Sequence, residues 1–370
     1  YTHWYSRKSN RCKFFKLTSP LTSKERLISQ NSFINLRHNQ TILISILMPV
    51  KNAGTYLKPC LDSILAQSYS EWELVAVNDG STDGSETVLE EYAHEHDNIK
   101  VVNSDGVGIV TALQKAYELS NGGMIHRMDA DDLMPANKLE LMAEAITEGS
   151  VVTGKVSYFC DEREVGEGFL KYTDWLNGLM EEGDFWRDVY RECPVPSSAW
   201  MMHRADFEQI GGFNSDLMPE DYDLAFRILK HKLKVIRLNE VVHHWRDSET
   251  RVSRNEEQYF PIAYSPLKVH YFLELHRDST KTLVLWGAGK KGKLVAKELL
   301  ERKIVFTWIT NNEKKIGKDI YGVVLRSDNE QDFSGVQIIV SLSSPEEKVK
   351  VQTLLKHERL VNNQDYYWFF

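Results

Sequence analysis

Apolar and polar residues first fall into a regular order near residue 42, where Ile42-Leu43-Ile44-Ser45-Ile46-Leu47-Met48-Pro49-Val50 is almost unbroken apolar. A run without alternation suits a strand covered on both faces, as in a largely parallel sheet. Asn52-Ala53-Gly54 supplies a turn, and Leu57, Leu61, Ile64 and Leu65 then recur at helical spacing. Residues 72–77 predict a second strand running into Asn78-Asp79-Gly80-Ser81-Thr82-Asp83-Gly84-Ser85, whose Asp and Ser residues can cap a helix carrying Val88, Leu89 and Tyr92. Residues 99–103 predict a third strand and 111–119 a helix. Residues 124–128 predict the strand that delivers Asp129-Ala130-Asp131-Asp132. Alternating strand and helix predicts a doubly wound, mostly parallel α/β sheet, whose ligands lie beyond the carboxyl ends of the strands. Asp79 and Asp129 both fall at such ends.

From 151 to 245 the pattern mixes short strands with helices, two of them expected at 175–180 and 221–230. This half is where an acceptor site could be built. A helical stretch at 258–275 and a linker, Arg277-Asp278-Ser279-Thr280, precede a new unit that opens with Lys281-Thr282-Leu283-Val284-Leu285-Trp286 and Gly287-Ala288-Gly289-Lys290-Lys291-Gly292. A helix to 300, strands near 304–309 and 337–342, and a helix at 345–356 complete it. The chain therefore divides into a basic, poorly ordered tail (1–41), an α/β domain (42–276) and a small Rossmann-like α/β domain (281–370). Gly287, Gly289 and Gly292 follow a strand and open a helix, the context of a dinucleotide fingerprint. The next strand, however, ends in Thr310-Asn311-Asn312, without the acid that would hold a ribose. A degenerate unit that packs, oligomerises or holds a nucleotide loosely fits better than a redox site. The aromatic end, residues 366–370, predicts a terminal strand.

Composition narrows the function. Of 370 residues, 42% are hydrophobic and 26% charged, as in soluble globular proteins. The net charge of −8 conceals a +7 tail over 1–41, which leaves the remainder at −15. An acidic folded part makes a poor nucleic-acid binder, although a metal and a few placed cations can still hold an anionic substrate. Cys12, Cys60, Cys160 and Cys193 form no CxxC pair, which fits a reducing cytosol. The longest apolar run is about half a membrane span. These features place the protein in the cytoplasm, with at most peripheral contact at the inner face of the membrane.

The acidic cluster points to chemistry. Carboxylates two apart at a strand end can share a divalent cation while that cation holds the phosphates of a second ligand. Asp79 is a pure acceptor suited to the ring N–H of a uracil or similar base, unless it only caps the Ser81–Ser85 turn. Met48-Pro49-Val50-Lys51-Asn52, Val77-Asn78-Asp79-Gly80-Ser81-Thr82-Asp83, Arg127-Met128-Asp129-Ala130-Asp131-Asp132, Gly211-Gly212-Phe213 and Pro219-Glu220-Asp221-Tyr222-Asp223-Leu224 stand in that order. With these five pieces, residues 42 to about 260 resemble the family 2 glycosyltransferases, of GT-A fold. Gly54 departs from the family, which often has an acid there.

The resemblance implies a nucleotide pocket formed by Pro49, Val50, Asn52, Asp79 and Asp129. It implies Asp131 as a ligand of Mn²⁺ or Mg²⁺, Asp129 as its helper at the ribose, and a histidine as a further ligand; His244 is favoured over His243. Asp132 is expected to cap the turn before Pro135. Asp221 is implied as the base, with Glu220 its neighbour and Asp223 facing elsewhere, and the helix N-terminus should favour the ionised carboxylate. Acids that merely cap that helix are the plain alternative. Arg246, or else Arg251 or Arg254, is expected on the diphosphate. The activity implied is metal-dependent, inverting transfer of a sugar from a nucleotide-diphosphate donor, a UDP-sugar by preference, to a hydroxyl of a glycan or lipid-linked saccharide, as in cell-envelope polysaccharide biosynthesis. The rivals are a nucleotidyltransferase, for which Lys51-Asn52-Ala53-Gly54 is too short a loop, and a nucleotide-sensing scaffold led by the C-terminal glycines.

Overall fold

A computed structural model describes residues 41–370, apart from 107, 162, 182 and 249–262. The expected basic tail up to residue 40, Arg251, Arg254 and the first part of the 258–275 helix therefore lie outside the described residues.

The first sheet is built from β1 (Ile44–Val50), β2 (Trp72–Asp79), β3 (Ile99–Ser104), β4 (Met124–Arg127), β5 (Ser150–Phe159), β6 (Trp200–His203) and β7 (Lys234–Arg246). Their order is β3-β2-β1-β4-β6-β5-β7. β1 to β4 are mutually parallel, as their unbroken apolar runs require: β1 is buried on both faces, between β2 and β4. Pro49 has no N–H to give a ladder, and its place explains why it is tolerated. Pairing with β4 stops at Leu47↔Arg127, so Pro49 pairs only with Val77 of β2. β6 runs antiparallel to β4 and β5.

The second half differs from expectation. Instead of short strands, β5 and the thirteen-residue β7 form a long parallel pair with a bulge at Gly154–Val156. The helix expected at 175–180 runs earlier, from Glu167 to Gly178. A half-exposed polar stretch inside β7 and the bulge break the alternation that would have revealed both strands.

The C-terminal unit holds β8 (Thr282–Trp286), β9 (Thr307–Thr310), a small hairpin of β10 (Asp319–Ile320) and β11 (Val323–Val324), then β12 (Arg326–Ser327), β13 (Val336–Val340) and β14 (Tyr366–Trp368). Its five-stranded sheet, β12-β9-β8-β13-β14, is parallel throughout. The glycine motif is explained by packing. A Cβ on Gly287, at φ +118°, would lie 2.3 Å from the Ser341 carbonyl oxygen, and one on Gly292 would lie 2.0 Å from that of Gly287. Gly289 faces open space. Helix Lys290–Glu301 can approach β8 only because those two side chains are missing. Leu285, Val295, Ile339, Tyr367 and Phe369 belong to the same apolar cluster as the core of the first sheet, so the two sheets share one interior. Among the described residues no helix is long and apolar enough to cross a membrane.

Candidate active site

The loops after β1 and β2 are joined side chain to backbone. Asn52, in left-handed conformation at φ 52°, accepts from the Thr82 amide at 2.8 Å, and its own amide donates to Ser81 Oγ at 3.0 Å. The Ala53 amide donates to Ser85 Oγ, and the Gly54 amide to Asp83 Oδ2 at 2.7 Å. Partial burial pulls the Asp83 carboxyl upward, but hydrogen bonds from Ser85 and Gly54 outweigh it and hold it below the usual range. Asp83, from the neighbouring loop, thus brings a carboxylate to the backbone of Gly54.

Asp79 is buried and does not cap the Ser81–Ser85 turn. Asn78 and Asp83 bond that turn instead. Asp79 accepts from Ser104 Oγ at 2.7 Å and from the Gly108 amide at 3.0 Å, and Lys51 Nζ stands 4.0 Å away.

At the end of β4 the carboxylates separate by environment. Asp129 Oδ1 accepts from Arg127 Nε at 2.9 Å, Asp129 Oδ2 from Ser197 Oγ at 3.1 Å, and the Asp129 amide donates to Ser198 Oγ. Burial would raise its pKa, but the Arg127 charge and these hydrogen bonds bring it down to about 2. Asp132, expected as a local cap, is instead fully buried: it accepts from His243 Nε2 at 2.9 Å and from the Arg246 amide at 2.8 Å, tying the acidic loop to β7. His243 is held on its other side by Lys138 Nζ at 3.2 Å, so it is a packed structural residue. Burial brings Lys138 down to about 7.

Helix Glu220–Lys230 places its first residues on the same cleft. Glu220 accepts from Arg127 Nη1 at 3.0 Å, and Asp223 is buried against Arg227 and Tyr271. Asp221 is half-buried and accepts from the Tyr222 amide at 2.7 Å. Its carboxyl does not stay low, as the helix N-terminus led us to expect. Burial first, and then the Glu220 charge, push it up to about 7.

A cleft of about 780 Å³ joins these groups. Its lining includes Pro49, Val50, Asn52, Asp79, Asp129, Asp131, Glu220 and Asp221, together with Tyr158, Tyr172 and Trp245. His244 and Arg246 stand outside the described lining. His244 Nδ1 meets Ser157 Oγ at 2.6 Å, and its backbone bridges to Leu133. Arg246 Nε donates to the Asp131 carbonyl at 2.8 Å, Nη1 pairs with Asp161, and the guanidinium lies over the Tyr56 and Phe159 rings. Arg246 therefore braces the acidic loop through the Asp131 carbonyl. No group of three His, Cys, Asp or Glu among the described residues is placed to hold a metal by itself. Asp131 and Asp129, hard oxygen donors on the cleft, suit a cation that also takes oxygens from a ligand.

Three residues of the site were not singled out from sequence. Arg127 is a cation within a buried strand, a signal that the motif contained and that local reading passed over. Ser197 and Ser198 reach Asp129 from sixty-eight and sixty-nine residues away, with no local mark.

A mixed sheet whose parallel strands β2 and β4 lead to carboxylates that share one cleft with a third is an α/β fold of GT-A type. The chain belongs to glycosyl transferase family 2, whose model matches residues 45–211. It is 33% identical over 217 residues to the putative teichuronic acid biosynthesis glycosyltransferase TuaG of Bacillus subtilis, covering 58% of this chain and 82% of TuaG. To the glycosyltransferase GlyA of Streptococcus pneumoniae it is 26% identical over 219 residues, 57% of this chain and 31% of GlyA. The chain spans 31%, 61% and 49% of the lengths of GlyA, EpsH and YibD, three of the curated relatives it matches. In fold it resembles S. aureus TarS 1–349 in complex with UDP-GlcNAc, with a TM-score of 0.50 at 18% identity over 69% of this chain and 71% of that one.

Proposed function

We propose that the protein moves a glycosyl group from a nucleotide-diphosphate sugar, a UDP-sugar by preference, to a hydroxyl of a glycan or lipid-linked saccharide, with inversion. The observation that carries this reading is Asp221, its carboxyl near 7, on the cleft that also holds Asp79, Asp129 and Asp131. A base is most effective when its pKa lies near the working pH. Asp221 takes the proton of the acceptor hydroxyl while that oxygen bonds to the anomeric carbon. The bond from that carbon to the diphosphate oxygen breaks on the opposite face, and the nucleoside diphosphate leaves with the electron pair. Among the described residues, Arg127 pairs with both Glu220 and Asp129, whereas Asp221 makes no ion pair with it. Asp79 receives the base, with Asn52, Pro49 and Val50 forming the rim. Asp131, helped by Asp129, would hold Mn²⁺ or Mg²⁺, which when bound neutralises charge on a departing diphosphate. The names of TuaG and TarS 1–349 support a cell-envelope glycan and a UDP-sugar respectively.

The test is incubation with a panel of UDP-, GDP- and TDP-sugars plus Mn²⁺, followed by NMR. Slow hydrolysis of one donor, releasing the inverted anomer first and lost in Asp221→Asn, is expected. Pyrophosphate exchange, or release of the retained anomer, overturns the reading.

A further inference from the structure

Residues 184–199 bring Glu192, Cys193, Val195, Pro196 and Ser197 to the cleft, yet they form neither helix nor strand beyond turns. Val189, Tyr190, Cys193 and Val195 are buried. A buried irregular segment has no ladder to satisfy its carbonyls and must find donors elsewhere. Here several come from the far end of the chain. The Asn362 and Asn363 amides both donate to the Arg187 carbonyl at 3.1 Å. Lys268, fully buried, donates to the Arg191 carbonyl at 3.0 Å and to the Phe369 carbonyl at 3.1 Å, joining the two segments through one ammonium. The Tyr190 ring stacks on Phe369, with centroids 5.0 Å apart and 12° between planes. Tyr222, next to Asp221, donates to the Val189 carbonyl at 2.5 Å. At its other end the segment reaches Asp129 through Ser197 and Ser198.

We propose that the C-terminal sheet is a positioning element of the active site: the 362–370 segment fixes the cleft wall at 187–197, and through it Asp129. Lys268 and Phe369 are the positioning residues. This assigns the C-terminal unit a role that does not require its glycine motif to bind anything, and it stands on packing that is independent of the transferase reading.

Hydrogen exchange on the full chain tests it. Lys268→Met keeps the stem and removes the donors. Amides at 185–198 should then exchange about tenfold faster, as expected for loss of a net hydrogen bond, while those at 48–54 stay within about twofold. The pair Asn362→Ala with Asn363→Ala, both half-buried, should act in the same direction and keeps the test open if Lys268→Met fails to fold. Calorimetric UDP affinity should weaken by about three- to tenfold in both variants through Asp129. Exchange at 185–198 that is unchanged, or that rises equally everywhere in the asparagine pair, overturns the proposal, and so does unchanged UDP affinity with a loosened wall. Failure of the wild-type protein to bind UDP would instead count against the donor reading, and the exchange measurement would still decide the wall.

Discussion

Arg127 and Glu220 meet inside the protein at 3.0 Å, joining the end of β4 to the first residue of the helix that carries Asp221. The same guanidinium holds Asp129 at 2.9 Å, so one buried cation pairs with two carboxylates that line the cleft. Removing it takes the same positive charge from both. Arg127→Met should cost about 3–5 kcal/mol of stability at neutral pH, measured by urea unfolding. The sign follows from Asp129, whose folded pKa lies below its unfolded value: its contribution is full above about 4 and disappears as the pH falls towards 2. The difference between Arg127→Met and wild type should therefore narrow as the pH falls through that window.

Asp221 titrates in the opposite sense. Its folded pKa is raised to about 7, so the charged form is disfavoured by folding, and stability linked to this group is full below its ordinary value and lost as the pH rises through 7. Activity should run the other way, because the base must be ionised. Donor hydrolysis is expected to rise with an apparent pKa near 7. Asp221→Asn should remove at least about a hundredfold of the rate while raising the melting temperature at pH 8. A variant that loses activity and stability together would place Asp221 in the scaffold.

Cation dependence should separate the candidate ligands. Asp131 is on the cleft, whereas His244 stands outside its described lining with Nδ1 on Ser157. Asp131→Asn should weaken Mn²⁺-dependent UDP binding by about tenfold or more, as loss of a charged oxygen ligand would. His244→Gln should stay within about threefold. Titration of Mn²⁺ by electron paramagnetic resonance, with UDP present, distinguishes the two.

How much of this was legible beforehand depended on whether a residue's partner was near it in sequence. β1 to β4 were readable because apolar runs need no partner to be recognised, and so were the strand-end positions of Asp79 and Asp129. The role of Asp132 was not readable. A carboxylate before a turn looks like a cap, and its actual partners, His243 and the Arg246 amide, lie more than a hundred residues on. The neighbours of Arg246 were hidden in the same way: in the fold its guanidinium lies over the Tyr56 and Phe159 rings and donates to Asp131 and Asp161. The raised pKa of Asp221 arises from burial, and sequence shows only the helix end.

The two outer glycines of the C-terminal motif should prove indispensable for packing. Gly292→Ala would drive a methyl into the Gly287 carbonyl, a backbone atom that cannot rotate away, and should destabilise the chain by about 1–3 kcal/mol or more. Gly289→Ala, facing open space, should be nearly neutral. Thermal unfolding of both variants compares them directly.

The loops after β1 and β2 are already bound to each other by four backbone amides donating to side-chain oxygens across the gap. A ligand entering there meets a rim ordered during folding, and binding need not recruit loop entropy for that part of the site. Selection among nucleobases would then rest on the fixed shape of this edge, so that exchanging one base for another by mutation would require rebuilding two loops together.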